Sequence, residues 1–176
     1  MKVLVSGAGI AGLALAVDLS VRGHQVTVVE RSSHFRVNGS PIDIRGDSIQ
    51  TVAKMGLLDQ IKDNRVRVSE QARFIDGNGE TVASFPIAEA SDSPDDIEIA
   101  REDLANILAA ALPSEVTVRF RDFLDSITDD GAGVDVHFAS GLAERYDLVF
   151  GADGQHSGVR RMVFGPEADY LRHLGL

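Results

Sequence analysis

Three glycines near the start of the chain constrain its fold more than any other feature. Gly7, Gly9 and Gly12 follow an apolar stretch at residues 2–6 and open residues 10–22, whose apolar spacing predicts a helix. Gly7 permits a tight turn out of the strand, and Gly9 lets the backbone approach a ligand because it has no Cβ atom. Gly12 permits close packing of the helix on a sheet. The spacing therefore predicts a strand, a turn and a helix whose N-terminus binds phosphate.

The segment after the helix extends this prediction. Gly23 stops the helix, which we expect to bury Ile10, Leu13, Val17 and Val21 on one face. Residues 25–30 form a second strand pattern that ends in Glu30. A carboxylate at that place can accept hydrogen bonds from ribose hydroxyls, and Glu30 suits either FAD or NAD. We predict a right-handed βαβ unit that binds a dinucleotide, with an inherited but unused site as the alternative.

Composition excludes several classes of protein. The 176 residues are 44% hydrophobic, which is enough for a packed core, and they include no cysteine. Disulfide scaffolds, thiol catalysis and cysteine-ligated zinc are therefore excluded. The net charge of −10 disfavours nucleic acid and anionic membranes as partners. No apolar run approaches the roughly 20 residues of a membrane span, and no signal peptide precedes the first strand, so we expect a cytoplasmic protein.

The middle of the chain departs from simple alternation of strands and helices. We expect a loop over residues 31–46, helical structure over 47–63 with a break at 55–57, and a hairpin formed by 66–75 and 80–85. The expected later elements are a strand at 97–100, a helix at 101–112, a strand at 116–118, antiparallel strands at 122–128, 134–139 and 142–146, a buried strand at 147–151 and a helix at 155–163. The hairpin interrupts the nucleotide-binding pattern, which indicates a second layer inserted into it.

Three motifs in this order resemble the FAD-dependent aromatic hydroxylases, the single-component flavoprotein monooxygenases. The first is the glycine motif with Glu30-Arg31, and the second is Arg101-Glu102-Asp103-Leu104. The third spans residues 147–160, and its part Asp153-Gly154-Gln155-His156-Ser157-Gly158-Val159-Arg160 is similar to the family's Asp-Gly motif. The loop at residues 38–44 also resembles that of the tetracycline-inactivating monooxygenases.

The resemblance implies an α/β protein with a Rossmann-like FAD/NAD(P)-binding fold. This fold has a βαβ start, a β-meander and an inserted antiparallel substrate-layer hairpin. It would divide the chain into an FAD-binding segment at 1–65, the inserted segment at 66–98 and a second FAD-binding segment at 99–176. The family continues with a later Gly-Asp motif and further strands, so we expect the chain to be an N-terminal part, with residues 170–176 starting a further strand. Self-association or a partner would then cover exposed apolar sheet surface.

The resemblance also implies a set of cofactor-binding residues: Gly7, Gly9, Ala11, Gly12, Glu30, Arg31, Arg36, Asp43, Arg101, Asp153 and Gly154. The glycine motif would hold the FAD pyrophosphate, with the Asp-Gly motif nearby. Glu30 would hold the adenosine ribose with Arg31 beside it, and Arg101 would reach FAD phosphate or ribitol. Asp43 would lie by the flavin ring, and Arg36 would meet FAD or an NADPH phosphate. Each role has an alternative. Arg31 and Arg36 could be solvated surface charges, Asp43 could cap a turn, and Asp153-Gly154 could be only a turn that ends a strand.

The activity implied by this family is oxygen transfer. NADPH or NADH would reduce FAD, and a flavin C4a-hydroperoxide would hydroxylate an electron-rich aromatic or polycyclic substrate. No side chain need act as a nucleophile, and no metal is expected. An FAD-dependent reductase or dehydrogenase of the same nucleotide-binding class, and a non-catalytic FAD-binding module, remain as alternatives.

Overall fold

The computed structural model describes residues 1–35, 39–66, 71–86 and 95–175. The chain forms two compact units, one comprising Met1–Val37 with Leu108–Leu176 and the other Asn38–Ile107. The division into FAD-binding and substrate-layer segments indicated by the sequence stays a prediction.

In chain order, the helices and strands are β1 (Lys2–Ser6), α1 (Ile10–Val21), β2 (Gln25–Glu30), β3 (Ile42–Ile44), α2 (Asp47–Lys54), α3 (Leu58–Asp63), β4 (Gln71–Ile75), β5 (Thr81–Pro86), β6 (Ile97–Ile99), α4 (Arg101–Ala110), β7 (Thr117–Phe120), β8 (Leu124–Asp129), β9 (Val134–Phe138), β10 (Ala143–Tyr146), β11 (Leu148–Gly151) and α5 (Gly158–Phe164). A short 3-10 helix follows at Glu167–Asp169.

A parallel sheet in the order β11-β1-β2-β7 forms the centre of the first unit. Ser6 of β1 pairs in register with Val29 of β2 on one side and with Gly151 of β11 on the other. Glu30 at the end of β2 pairs with Phe120 of β7. The carboxyl ends of all four strands therefore lie at the same edge of the sheet.

Alternation along β1 assigns its two faces to different layers. Val5 faces α1, because its side chain lies 3.4 Å from where a Cβ atom on Gly12 would be. Leu4 points to the opposite face and joins a buried cluster with Val136 and Phe138 of the meander β8-β9-β10. Each fully buried aliphatic side chain contributes about 1.5–3 kcal/mol, so these two contact layers hold the sheet between a helix and a second sheet.

The predicted helix face is mostly right but includes one error. Leu13 and Val17 are buried in α1, whereas Val21 at its last position is 77% exposed. Gly23, just beyond the helix, adopts a positive φ of 82°, and its N–H donates to the Ser20 carbonyl. Val21 therefore lies where the helix has already passed beyond the sheet it packs on.

A cluster of charged side chains links the meander to the parallel sheet. Glu144 of β10 accepts hydrogen bonds from Lys2 Nζ and the Tyr146 hydroxyl, each at 3.0 Å, and from Arg119 of β7. Burial alone would raise the pKa of the Glu144 carboxyl, but these three donors outweigh it and lower the pKa to about 2. Burial and the Glu144 carboxylate raise the pKa of Tyr146 to about 12. Glu144 is thus ionised at neutral pH and joins three strands.

The second unit contains two small antiparallel sheets. Strands β3 and β6 pair through Ile42 with Ile99 and Ile44 with Ile97, and β6 packs on α3, where Ile61 is fully buried. The predicted hairpin is present as β4 and β5. Its turn is held by the Asp76 carboxylate, which accepts backbone hydrogen bonds from Asn78 at 2.8 Å and Glu80 at 2.9 Å.

Several predicted elements were wrong in detail. The loop predicted at 31–46 contains β3, which sequence alone does not show because a three-residue strand is too short for a period. The last sheet strand is not buried: Leu148 is exposed, because among the described strands β11 has a neighbour only on the β1 side. The final helix begins at Gly158 rather than residue 155, and residues 171–175 form no strand. No helix in the described ranges is long and apolar enough to span a membrane.

Candidate dinucleotide-binding site

The candidate site lies where the connections from the parallel sheet diverge. The chain leaves β1 through α1 to β2 on one side, while β11 lies on the other side of β1. Ligands of open α/β sheets bind beyond the carboxyl ends of the strands at such a reversal in strand order. In this chain those ends are Ser6-Gly7 after β1 and Ala152-Asp153 after β11.

Gly7 and Gly12 are required by the packing of the backbone. Gly7 has a φ of 104°, and a Cβ atom there would lie 2.8 Å from the carbonyl carbon of Ala152 and 2.9 Å from Cα of Asp153. A Cβ atom on Gly12 would overlap the carbonyl oxygen of Gly7 and lie 3.0 Å from its carbon. Both glycines are buried. They therefore bring the turn, α1 and the end of β11 together.

Gly9 and Ala11 have the opposite environment. Both are exposed, and a Cβ atom on Gly9 would meet no atom of the described residues within 4 Å. The carbonyl of Gly9 accepts the first helical hydrogen bond, from Leu13 at 2.9 Å. Helix α1 has no side-chain cap and no acidic residue in its first turn. Its first N–H groups and its positive dipole end are thus available to an anion.

Glu30 is held beside the glycine turn. It is only 7% exposed, and its carboxylate accepts hydrogen bonds from the backbone N–H groups of Ala8 and Ser32, both at 2.9 Å. These contacts with Ala8 and Ser32 fix the orientation of the carboxylate beside the glycine turn.

Arg31 lies at the same end of the sheet with its side chain exposed. Its guanidinium carbon is 5.6 Å from the centroid of the Phe123 ring. Phe123 follows Asp122, whose N–H donates to the Glu30 carbonyl at 3.2 Å. The structure therefore brings an exposed cation and an exposed ring next to the predicted ribose ligand.

Asp153 binds the start of α5 with its side chain. Its carboxylate accepts from the N–H groups of Gly158 at 2.8 Å and Val159 at 3.1 Å, and from the Ser157 hydroxyl. Ser157 in turn accepts from the Arg160 N–H, as an N-cap does. What Asp153 presents to Gly7 is its backbone, and Gly154, with a φ of 86°, completes the turn.

The remaining predicted site residues belong to the second unit or lie outside the described residues. Arg101 begins α4, and a Cβ atom on Gly39 would lie 2.8 Å from its Cδ, so its side chain extends along the backbone of that glycine. The Arg101 guanidinium has no hydrogen-bond or ion-pair partner among the residues the structure describes. Asp43 is exposed and pairs with Arg45 at 3.0 Å. Arg36 lies outside the described residues.

A dinucleotide fits the residues of the first unit on these observations. The open space over Gly9, the uncapped helix and the fixed carboxylate of Glu30 are the features that a diphosphate and a ribose require. No group of three or more histidine or acidic side chains in the described part of the chain could hold a metal ion.

The sequence of residues 1–166 matches the family described as FAD binding domain. The chain belongs to this FAD-binding family. This FAD-binding domain is 41% identical over 177 residues to the uncharacterized protein Rv1260 of Mycobacterium tuberculosis, a match that covers 98% of the chain and 47% of that protein. It is 37% identical over 171 residues to the FAD-dependent monooxygenase asL4 of Sarocladium schorii, covering 94% of the chain and 40% of that protein.

A solved structure extends the likeness to three dimensions. The tetracycline destructase Tet(51) superposes with a TM-score of 0.81 and 40% identity, over 93% of this chain and 41% of that one. The predicted relationship to flavoprotein monooxygenases, including the tetracycline-inactivating ones, is thus confirmed, as is the α/β fold. The chain spans less than half the length of these relatives.

Sequence reasoning missed Asp122 and Phe123. Their position beside Glu30 depends on the pairing of β7 with β2, two strands that lie far apart in the chain. The only local signal is an exposed aromatic residue directly after a strand, and that signal is too weak to identify a site by itself.

Proposed function

We propose that this domain is part of an FAD-dependent monooxygenase. In this activity NADPH or NADH supplies two electrons by way of FAD, and of the two atoms of dioxygen one is transferred to an electron-rich organic substrate and the other leaves as water. The observation that supports it most is the turn after β1, where Gly7 packs against the backbone of Asp153 and Gly9 faces open space. The relatives named flavin- or FAD-dependent monooxygenases support the same conclusion.

The chain's own residues would bind and orient the cofactor. The N–H groups at the start of α1, from Gly9 to Gly12, would donate to the FAD pyrophosphate, and Glu30 would accept from the adenosine ribose. Bound FAD supplies the redox chemistry and the reaction with dioxygen. The protein's part is to hold the cofactor in place and to exclude water from the reacting atoms.

Residues of the second unit have proposed roles of their own toward the cofactor. Arg101 would donate to FAD phosphate or ribitol, because a guanidinium that has no partner among the described residues and lies next to a backbone without a side chain is suited to an anion. Asp43 would lie by the flavin ring. Arg36, which belongs to the first unit and lies outside the described residues, keeps its proposed role toward FAD or an NADPH phosphate.

The proposed substrate is a small aromatic or polycyclic compound. The name of the tetracycline destructase Tet(51) states a polycyclic substrate for that relative, and p-nitrophenol 4-monooxygenase, at 26% identity, acts by its name on a simple phenol. A partner that covers exposed apolar surface, self-association and a cytoplasmic location stay predictions.

Titration of the purified chain with FAD tests the binding proposal. We expect quenching of flavin fluorescence and a flavin absorption spectrum that remains with the protein after gel filtration. NAD serves as the competing ligand, because Glu30 suits either ribose. If neither FAD nor NAD binds, the proposed function is wrong.

Oxidation of NADPH in air separates a monooxygenase from a reductase of the same class. A protein that contains these residues and the remainder of a full-length relative should consume NADPH with dioxygen and produce peroxide when substrate is absent. Reduction of flavin without consumption of dioxygen would favour the reductase instead.

A further inference from the structure

An exposed aromatic ring and a guanidinium lie directly beside the residue proposed to hold the adenosine ribose. Phe123 is 45% exposed, and the guanidinium carbon of Arg31 lies 5.6 Å from its ring centroid. Arg31 follows Glu30 in sequence. Phe123 follows Asp122, whose N–H donates to the Glu30 carbonyl. The pair offers flat, polarisable surface at the carboxyl edge of the parallel sheet.

The backbone around Phe123 is fixed at three points. The Arg121 N–H donates to the Ser32 carbonyl at 3.0 Å, and the Asp122 N–H donates to the Glu30 carbonyl at 3.2 Å. The Phe123 carbonyl accepts from the Ala139 N–H at 2.9 Å. The ring is therefore an exposed hydrophobic group on a well-tied backbone, unlike a side chain on a loose loop.

The Asp122 side chain is buried, and the hydrogen bonds described for it are made with Phe123 and Ser140. Its carboxylate accepts from the Ser140 N–H at 3.0 Å, the Ser140 hydroxyl at 2.8 Å and the Phe123 N–H at 3.0 Å. The preceding residue, Arg121, has a φ of 59°, a strained value for a residue with a side chain. The Asp122 carboxylate thus fixes the position of Phe123 in a segment whose backbone is strained at Arg121.

We propose that Phe123 and Arg31 form a stacking platform for the adenine ring of the bound dinucleotide, and that Asp122 is its positioning residue. The proposal rests on the proposed function, because it takes Glu30 as the ribose ligand. Adenine is bonded to the ribose itself, so its ring must lie close to the ribose hydroxyls from which Glu30 would accept. Aromatic rings and guanidinium groups are the side chains on which bases stack.

Substitution of the ring tests the platform through binding alone. Phe123→Leu keeps an apolar side chain but removes the π-face, and should weaken binding of FAD and of ADP by the same factor, roughly 5- to 100-fold. Inorganic pyrophosphate, which has no base, should bind the parent and the variant equally well. Phe123→Tyr should retain the affinity for FAD and ADP.

Phe164→Leu is the matched control. Phe164 is also exposed and belongs to the same unit, but it lies on α5, and its replacement should leave the affinity for FAD unchanged. If Phe123→Leu weakens pyrophosphate as much as ADP, the ring supports the fold and the platform is wrong. If Phe123→Leu binds FAD normally while Glu30→Gln binds it weakly, the platform is wrong and the proposed function stands.

A double-mutant cycle tests the role of Asp122. Asp122→Asn should weaken FAD and ADP, and the double variant with Phe123→Leu should be no weaker than the worse single variant, because both changes remove one interaction. Independent, multiplying losses would overturn the positioning role. A parent chain that binds neither FAD nor ADP would overturn the platform together with the proposed function.

Discussion

Replacing Gly9 or Gly12 by alanine should separate the binding role of the glycine motif from its folding role. Gly9 has a φ of −76° and a ψ of −178°, which alanine adopts without strain, and in the described part of the chain its new Cβ atom would meet nothing within 4 Å. A Cβ atom on Gly12 would instead overlap the carbonyl oxygen of Gly7. The same methyl group is thus added to open space in one variant and to packed backbone in the other.

The two variants should differ in the size of their effect on stability. Gly9→Ala lowers the entropy of the unfolded chain, which favours folding by about 0.4–1 kcal/mol, but it places alanine at the N-cap of α1, where glycine is preferred, so the free energy of unfolding should change little. Gly12→Ala forces α1 away from the turn, and overpacking of this kind costs about 3 kcal/mol. At about 2–4 °C per kcal/mol for a chain of this size, Gly12→Ala should lower the melting temperature by about 6–12 °C.

Gly9→Ala should nevertheless weaken the binding of FAD. Its methyl group fills the space through which a phosphate would reach the backbone N–H groups, and each charge-assisted hydrogen bond lost is worth about 1.5–3 kcal/mol. The dissociation constant for FAD should therefore rise about 10- to 100-fold although the free protein is no less stable.

Thermal unfolding without ligand, followed by FAD titration at a temperature where both proteins are folded, measures the two quantities. A Gly9→Ala protein that binds FAD as tightly as the parent would refute the reasoning, because the phosphate would then not approach the backbone at Gly9. A Gly12→Ala protein as stable as the parent would refute the packing argument.

Three further changes have defined outcomes. Glu144→Gln should lower the free energy of unfolding in urea by about 2–3 kcal/mol at pH 7. The pKa of Glu144 is about 2 in the folded protein against an ordinary value of 4.5. The difference between the two proteins should therefore persist above pH 4.5 and disappear as the pH falls towards 2. Equal differences at pH 7 and about pH 3 would contradict it. Ser157→Ala removes the N-cap of α5 and should cost about 1 kcal/mol, with Ser33→Ala, at an exposed site, as the control in the same unfolding assay. Arg101→Ala should weaken FAD about 10-fold or more and Arg101→Lys less, with no change in melting temperature, since no described ion pair is lost; equal affinities would remove Arg101 from the site.

The beginning of the chain could be predicted because its signals are local. The strand, glycine turn, helix and second strand follow one another directly, and the close backbone packing at Gly7 and Gly12 explains why glycine stands at those two positions. The hairpin at β4 and β5 was predicted for the same reason, since its turn residues lie next to one another. The error at β3 arose because three residues are too few to show a period, and its partner β6 lies far away in the chain.

The sequence alone determined that a strand, a glycine turn and a helix follow one another at residues 2–21, that Glu30 ends the second strand and that the family is a flavoprotein one. Only the tertiary structure decided that β11 lies against β1, which brings the backbone of Asp153 to Gly7. It likewise decided that β7 lies against β2, which brings Asp122 and Phe123 to Glu30. The physical reason is that turn and helix signals act between residues close in sequence, whereas strand pairing is decided by which apolar faces the whole chain buries together.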